Sequence, residues 1–435
     1  MRVLLGDSFK FSLLRNSVIQ FLWWIIFYPG FFSTDSFSAV SQAKSGDLSN
    51  AGTASWSLYI RYFSFLGNAI PLLTLISGLA LTYSVTCLAY SLSSKKIAAI
   101  SSFVLVATPV VSAMGITLWH DIPFTAGVIL VSAFFVTHFN NRLESVNRFW
   151  LLLFPGSVLI TFKPNGLPTL IIFAMIFFLF NRNRKIIVEL VCAITVASVI
   201  SISFSYLFIK QPPINTLFGQ EFMREDISCY ASLGKGRGFV EDKMPGISNT
   251  EGWSSPEACA FISRSKLTLD EKMRAVNLLP RVWFQLILKD PKFVLETHLK
   301  RHAYLLPLPL YGIPIEPFIH STIEFKDRGI QWAFPQIAEK ARILPRAWNA
   351  LRGFFGWAGL WLVMLIYLSR RYKKLELTPL IIMSISQLLL LFIVAPIPDG
   401  RYALFVLISG QICLIGKTVE SLSGLNARRK AKKEY

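Results

Sequence analysis

Residues 71–92, PLLTLISGLALTYSVTCLAYSL, form a run of 22 positions without an acidic or basic side chain. An α-helix needs about 20 predominantly apolar residues to cross the hydrocarbon core of a bilayer. This run therefore predicts a membrane-spanning helix. Similar runs recur along the 435-residue chain, and together they decide its fold class.

The composition excludes two other classes of protein. Hydrophobic residues make up 53% of the chain and charged residues 16%, whereas ordinary soluble domains carry roughly 25% charged residues. So few charges cannot cover the surface of a soluble protein, and an intrinsically disordered chain requires low hydrophobicity. We therefore predict an all-α integral membrane protein.

About ten membrane spans are predicted from the apolar runs. The fifth and sixth are short and are separated by Lys163-Pro164-Asn165-Gly166, so they are interpreted either as two spans or as one re-entrant hairpin. The predicted spans are 11–32, 71–92, 97–118, 122–139, 149–162, 165–180, 186–209, 351–368, 378–397 and 401–416.

The net charge of +19 is distributed unevenly between the two sides of the membrane. If the spans alternate, one side holds 20 of the 44 Lys and Arg residues and five of the 25 acidic residues. By the positive-inside rule that side is cytoplasmic, and both termini lie on it. The charge is thus mainly a topology signal, and nucleic-acid binding is disfavoured because no recognition motif accompanies the short basic tail.

This topology divides the chain into four parts. Residues 1–209 form an N-terminal module of about seven spans with a first outer loop at 33–70, and 210–350 form a large extracytoplasmic loop domain. Residues 351–416 hold three C-terminal spans, and 417–435 form a basic cytoplasmic tail. Within the large loop, the pattern from Thr268 to Tyr304 is helical, with alternating apolar and basic faces.

Two of the five cysteines, Cys229 and Cys259, fall in the large outer loop. In an oxidising compartment they could pair and cross-link the loop, or they could remain free thiols. Cys87, Cys192 and Cys413 fall within predicted spans and are interpreted as packing residues.

Charged residues accumulate where four predicted segments reach the outer side of the membrane. Charges this close to hydrocarbon are costly unless they are paired or solvated, so they indicate a functional site. The residues are Asp35 after the first span, Asp121 after the third, Lys163 and Asn165 at the break between the fifth and sixth, and Arg401 and Tyr402 before the last.

These residue types suit the transfer of a group away from a phosphate. A carboxylate takes the proton from an attacking hydroxyl, and fixed cations stabilise the departing phosphate. Asp35 and Asp121 are the candidate carboxylates, and Lys163 and Arg401 are the candidate cations. Arg61 could also reach a lipid phosphate, or it could extend along the membrane surface.

His120 and a metal ion are left open by the sequence. His120 lies next to Asp121 and could bind substrate, transfer a proton or simply lie at the interface. A divalent metal held by Asp35 and Asp121 is conceivable, although oxygen-rich sites usually require more ligands than can be named here. No cofactor is predicted with certainty.

The chain resembles the polytopic glycosyltransferases of the GT-C class at these positions. The resemblance rests on Asp35 in Tyr-Pro-Gly-Phe-Phe-Ser-Thr-Asp-Ser, Asp121 in Trp-His-Asp-Ile-Pro-Phe, the Lys163-Pro164-Asn165-Gly166 break and the Arg401-Tyr402 pair. It covers the span layout from about residue 11 to 209 and from 351 to 416. Lys163 stands where Arg is more familiar, and the first loop lacks a DxD motif, which leaves metal use open.

The resemblance implies an inverting glycosyltransferase of the bacterial inner membrane. Its donor would be a polyprenyl-phosphate-linked sugar, and its acceptor an envelope glycan such as O-antigen, or a lipid. Asp35 would be the general base, with Asp121 sharing that role or orienting the acceptor. Lys163, Arg401 and Arg61 would bind the donor phosphate, and His120, Asn165 and Tyr402 would bind substrate. The layout is also similar to that of serotype-converting glucosyltransferases.

Three other functions remain open at this point. An O-antigen ligase or polymerase would use Arg and His residues of the large loop, for which Arg281, His298 and His302 are candidates. A transporter or flippase would require charged or broken helices at the bilayer midplane, but Glu189, the acid clearly within a predicted span, lies near the cytoplasmic end of that span. A non-catalytic envelope assembly protein would require none of the outer acids.

Overall fold

The computed structural model describes residues 8–46, 53–140, 149–180, 183–208, 221–232, 243, 269–306, 332–372, 374–395 and 400–431. The regular elements of these residues are helices, without a β-strand, so the predicted all-α class is confirmed for this part of the chain. The helices are α1 Phe9–Ile26, α2 Thr34–Ser45, α3 Ala54–Phe63, α4 Ile70–Leu92, α5 Lys95–Ala107, α6 Pro109–Gly115, α7 Asp121–Asn140, α8 Phe154–Ile160, α9 Gly166–Phe180, α10 Arg184–Phe208, α11 Glu221–Ser232, α12 Leu269–Lys289, α13 Pro291–Arg301, α14 Pro335–Ala341, α15 Ile343–Ala350, α16 Arg352–Phe355, α17 Ala358–Tyr372, α18 Thr378–Val394 and α19 Leu404–Ala431.

Within the described residues, five helical segments are long and apolar enough to cross a membrane. A sixth is added if α5 and α6, which meet at a bend of 60°, form one broken span. The five segments are Ile70–Leu92, Asp121–His138, Arg184–Phe208, Leu375–Val394 and Arg401–Ser423. The four other predicted spans also coincide with helices, but those helices are shorter or more polar, so ten crossings stay a prediction.

Helix α1 is polar on its inner face and apolar on its outer face. Ser12, Asn16 and Gln20 are spaced four residues apart and are fully buried, so they line one face of the helix. Leu14 and Leu22, on other faces, are more than half exposed. A polar face toward neighbouring helices and an apolar face away from them suit a helix at the lipid-facing side of a bundle, and the polar residues lower the mean hydropathy of α1.

The buried polar face of α1 is hydrogen-bonded to the neighbouring helices. The Asn16 amide donates to the hydroxyls of Thr86 and Ser102, each at 3.1 Å. The Gln20 amide donates to the Ser112 carbonyl at 3.1 Å. In a lipid environment, such polar contacts hold helices together because an unpaired polar group would be costly.

Helix α7 is the central helix of the bundle. Of the residues in its apolar segment 94% are buried, whereas the corresponding share for α10 is 22%. Helix α7 packs against α4, α8, α18 and α19. Its first residue, Asp121, is therefore held at one end of the bundle by helices from both halves of the chain.

The predicted helical region of the large loop is confirmed by α12 and α13. Together with α11, these helices enclose a small hydrophobic cluster that includes Ile227, Leu279 and Leu286. Helices α11 and α13 also contact α18. The loop domain is thus packed against a helix that leads directly to Arg401.

The break between α8 and α9 depends on Gly166. A Cβ atom at this position would overlap the carbonyl oxygen of Ile160, so only glycine fits without a backbone shift. The Gly166 amide donates to the Lys163 carbonyl at 2.9 Å, which closes the turn. The turn directs Lys163 inwards, where its side chain is buried.

Replacing Gly166 with alanine is expected to lower the melting temperature of the purified protein. Overpacking of this kind costs about 1–3 kcal/mol, and here the backbone of Ile160 must move. Gly416→Ala is the matched control, because a Cβ there meets its nearest neighbour at 3.4 Å, an ordinary contact. Equal melting temperatures for the two variants in the same detergent would contradict the assignment.

Candidate active site

Two loops distant in sequence are joined by a short backbone pairing. The Phe31 amide donates to the Ile116 carbonyl, and the Leu118 amide donates to the Phe31 carbonyl, both at 3.0 Å. Gly30 permits this approach because its φ is +113° and an added Cβ would lie 2.6 Å from the Ile116 oxygen. The pairing brings the segment that precedes Asp35 beside the segment that precedes Asp121.

The start of α2 is built from the same contact. Ser33 and Ser36 form a capping box, in which each side chain bonds the backbone amide of the other. The Trp119 indole donates to the Ser33 hydroxyl at 2.7 Å, and the Ser36 hydroxyl donates to the Leu118 carbonyl at 2.8 Å. These bonds hold Asp35 in the first turn of α2, with 63% of its side chain exposed.

Asp121 lies at the centre of the site and is almost fully buried, with 1% of its side chain exposed. One carboxylate oxygen accepts a short hydrogen bond from the Lys163 ammonium. The other lies 3.0 Å from His120 Nδ1. Separating a buried ion pair leaves an uncompensated charge, which is strongly unfavourable. Asp121 therefore keeps Lys163 in place, and its second oxygen holds His120 on the other side.

Arg401 joins the two carboxylates into one cluster. Its guanidinium donates to Asp35 Oδ2 at 3.3 Å, and its charge also acts on Asp121. The guanidinium carbon lies 4.7 Å from the centre of the Trp119 ring, within the range of a cation–π contact. Arg401 is itself mostly buried, with 8% exposed.

The Tyr402 ring makes cation–π contacts with both cations. Its ring centre lies 4.4 Å from the Lys163 ammonium nitrogen and 5.1 Å from the Arg401 guanidinium carbon. Its carbonyl accepts a hydrogen bond of 2.6 Å from the Gln387 amide of α18. Helix α18 thereby sets the position of the segment that carries Arg401.

The structure brings together most of the predicted site residues. Asp35, Asp121, Lys163, His120, Arg401 and Tyr402 form one continuous cluster, although they come from four separate segments. Asn165 lies at the start of α9, where its carbonyl accepts hydrogen bonds from Thr169. Its side chain is half-buried beside the cluster.

Arg61 lies at the other end of α2 from Asp35, so its role in phosphate binding stays a prediction. Its guanidinium donates to the Ala43 carbonyl at 2.6 Å and packs beside Gly46. These residues lie at the C-terminal end of α2, where basic side chains stabilise the unpaired carbonyls. Arg61 is therefore a cap of α2, at the end opposite to Asp35.

The contacts of the Asp35 and Asp121 carboxylates do not support a metal ion between them. Both oxygens of Asp121 are occupied by Lys163 and His120, and Asp35 is paired with Arg401. In the described part of the chain, no group of three or more His, Cys, Asp or Glu side chains is positioned to hold a metal ion.

Three supporting residues were missed by the sequence interpretation. Ser33, Trp119 and Gln387 do not titrate, and their importance depends on contacts between distant segments. Only the Ser33-x-x-Ser36 spacing, a weak form of a helix-capping signal, could have been recognised in advance.

A second buried polar cluster, which we term the docking cluster, consists of Asp226, Trp283, His298, Arg301 and His302. The Asp226 carboxylate, which is fully buried, bonds the Trp283 indole at 2.8 Å, His298 Nε2 at 2.8 Å and the Arg301 guanidinium at 2.9 Å. The sequence pattern indicates both histidines as candidate functional residues, but it does not single out Asp226. The docking cluster ties α11, α12 and α13 together.

His298 links the docking cluster to α18. Its Nδ1 atom lies 2.8 Å from the Phe392 carbonyl, and its Nε2 atom lies 2.8 Å from Asp226. His298 thus connects Asp226 of α11 to the C-terminal part of α18.

The neighbouring His302 is also part of the docking cluster. It is fully buried against the rings of His298 and Phe392. Burial and the charges of Arg301 and His298 hold the pKa of His302 well below its ordinary value. His302 is therefore neutral in the docked loop domain.

Cys229 of α11 is disulfide-bonded, whereas Cys87, Cys192 and Cys413 are free thiols. Its predicted partner Cys259 lies outside the described residues, so that pairing stays a prediction.

The candidate active site combines one exposed carboxylate, one partly exposed imidazole and two buried cations. An exposed carboxylate can accept a proton from a hydroxyl, and fixed cations can hold an anionic leaving group. No protein family, curated protein or solved structure matches this chain. The assignment of function therefore depends on the geometry of the site.

Asp121→Asn is expected to destabilise the protein by about 3–5 kcal/mol, because it leaves the buried Lys163 ammonium without its carboxylate. Lys163→Met should cost less, since Asp121 keeps its contact with His120. The double variant should be more stable than Asp121→Asn alone. Thermal unfolding in detergent measures these differences, and additive losses in the double variant would contradict the pairing.

Acidification from pH 7 to 5 is expected to weaken the attachment of the loop domain. A histidine with a lowered pKa contributes stability that is present above the unfolded-state pKa and is lost as the pH falls below it. His302→Phe should reduce this loss, whereas His320→Phe, outside the described residues, serves as the control. Hydrogen exchange of α11 and α13 provides the measurement, and equal pH dependence of wild type and His302→Phe would contradict the expectation.

Proposed function

We propose that this protein is a GT-C-like inverting glycosyltransferase. It transfers one sugar from a polyprenyl-phosphate carrier to an envelope glycan such as O-antigen, or to a lipid acceptor. The proposal rests mainly on one observation: two ion pairs, Asp35 with Arg401 and Asp121 with Lys163, lie together at one end of an apolar helical bundle.

The proposed topology has ten spans with both termini in the cytoplasm of a bacterium. The predicted cytoplasmic side holds most of the excess positive charge, which supports this orientation. The short helices α8, α9 and α17 would then cross a locally thinned bilayer or lie next to longer helices. The candidate active site would face the outer side of the inner membrane.

The proposed reaction begins with the sugar donor bound by its phosphate. Lys163 and Arg401 hold the phosphate oxygens, and Tyr402 lies beneath both cations. Asp35 is the general base, because its carboxylate is exposed whereas that of Asp121 is enclosed. Asp121 acts by positioning Lys163 and His120 and does not itself exchange protons with the acceptor.

Sugar transfer requires one bond to form and one to break at the anomeric carbon. The acceptor hydroxyl oxygen attacks the anomeric carbon as its proton moves to Asp35. The bond from the anomeric carbon to the phosphate oxygen breaks, and its electrons remain on the carrier phosphate. The cations stabilise the added negative charge, an effect that is usually the largest part of such catalysis.

Two of the alternatives are less well supported by the structure. A ligase or polymerase that used His298 and His302 would require accessible imidazoles, but both are buried in the docking cluster. A transporter would require its acid near the bilayer midplane, but Glu189 lies 4.0 Å from His138, near the end of α7 that is remote from Asp121.

Asp35→Asn is expected to reduce sugar transfer at least 100-fold, because general-base catalysis contributes about 10²–10⁴-fold. The exposed position of Asp35 predicts normal folding. Glu296→Gln, which changes an exposed carboxylate of α13, is the matched control and should retain full transfer.

The measurement is the mass of the envelope glycan from cells with the wild type, with each variant and without the protein. A hexose-sized increment that requires Asp35 supports the proposal. Wild-type transfer by Asp35→Asn, or a change in polymer length without an added sugar, would overturn it.

A further inference from the structure

His120 is the one member of the Asp121 ion-pair group that reaches the surface. Its side chain is 26% exposed, whereas Asp121 and Lys163 are 1% and 5% exposed. The ring lies edge-on to Trp56, with 6.3 Å between their centres. His120 therefore connects the buried Asp121 carboxylate with the accessible surface of the site.

The contact with Asp121 determines which nitrogen of His120 is available. Nδ1 faces Asp121 Oδ2 at 3.0 Å. A carboxylate only accepts hydrogen bonds, so Nδ1 is the donor in this contact and Nε2, on the other side of the ring, is the nitrogen that could contact a substrate. In many enzymes a buried carboxylate orients a proton-transferring imidazole in this way.

The charges of the site favour a protonated imidazole when the donor is bound. Asp35 and Asp121 balance Lys163 and Arg401, so the site is neutral when His120 is neutral. A bound sugar phosphodiester adds one negative charge, and departure of the carrier phosphate adds more. A positive charge on His120 restores the balance, and a protonated Nε2 can donate to the phosphate.

We propose that His120 is the general acid of the transfer reaction and a direct ligand of the carrier phosphate. The inference rests on the proposed glycosyltransferase function. As the bond between the anomeric carbon and the phosphate oxygen breaks, the Nε2 proton moves to the departing phosphate. The proton taken up by Asp35 from the acceptor then returns to His120 through water, which restores both groups.

This role predicts a specific dependence on pH. A general acid acts only in its protonated form, so we expect turnover to fall at alkaline pH. His120 contacts Asp121 and the Trp56 ring, Asp121 also bonds Lys163, and Asp35 and Arg401 form the adjoining pair. The fall at alkaline pH should require the His120 imidazole.

Two substitutions separate binding from proton transfer. In His120→Gln the amide nitrogen lies near the position of Nε2, so it can bind phosphate but cannot transfer a proton. In His120→Asn the amide lies near the position of Nδ1, so it can bond Asp121 but cannot reach the phosphate. We expect kcat to fall about 100-fold in both variants, within the range for acid catalysis, while KM for the donor rises only in His120→Asn.

The experiment uses the full-length protein in detergent or vesicles with a polyprenyl-phosphate-linked hexose as donor. Wild-type turnover should fall at alkaline pH, and His120→Gln should lack that limb. Wild-type kcat for His120→Gln, or an unchanged alkaline limb, would overturn the role of His120. If a variant does not fold, the wild-type profile still decides, because the absence of an alkaline limb excludes the acid.

The outcome separates this inference from the proposed function. Failure of the wild type to transfer any sugar would refute both. Wild-type transfer that is lost in Asp35→Asn but unaffected in His120→Gln would leave the glycosyltransferase proposal intact and refute the role of His120 alone.

Discussion

The enclosed carboxylate of Asp121 holds the candidate active site together. It bonds Lys163 from the break between α8 and α9 and His120 from the segment before α7, and the charge of Arg401 from the last connection also acts on it. A buried carboxylate without cations would be strongly unfavourable, and so would buried cations without a carboxylate. Because each charge requires the other, the three distant segments are held together around Asp121. Asp121 itself is held in place because α7 lies at the centre of the bundle.

Much of this arrangement could be predicted from the sequence. Apolar runs predict the helices, and the cost of charge near hydrocarbon singles out Asp35, Asp121, Lys163 and Arg401. The proximity of these residues could not be predicted, because it depends on the Phe31 backbone pairing and on the contact of Gln387 with Tyr402. The sequence also does not reveal that α2 ends beside Arg61, which donates to the Ala43 carbonyl there.

The different exposure of the two acids gives them separate tasks. Sequence spacing treats Asp35 and Asp121 as equivalent, but one is 63% exposed and the other 1%. The enclosed acid organises cations, and the exposed acid is accessible to an acceptor. The docking cluster shows a similar division, because His298 is bonded through both ring nitrogens while burial lowers the pKa of the neighbouring His302. In both places burial, more than residue type, decides the role.

The reversed polarity of α1 has a consequence for biogenesis. Helix α1 is synthesised first, but the partners of Asn16 and Gln20 lie 62 to 92 residues later in the chain. Until α4, α5 and α6 have emerged from the ribosome, the polar face of α1 has nothing to bond within the bilayer. In the proposed ten-span topology, α1 would therefore enter the lipid together with these helices, and the four segments would be inserted as one cooperative unit.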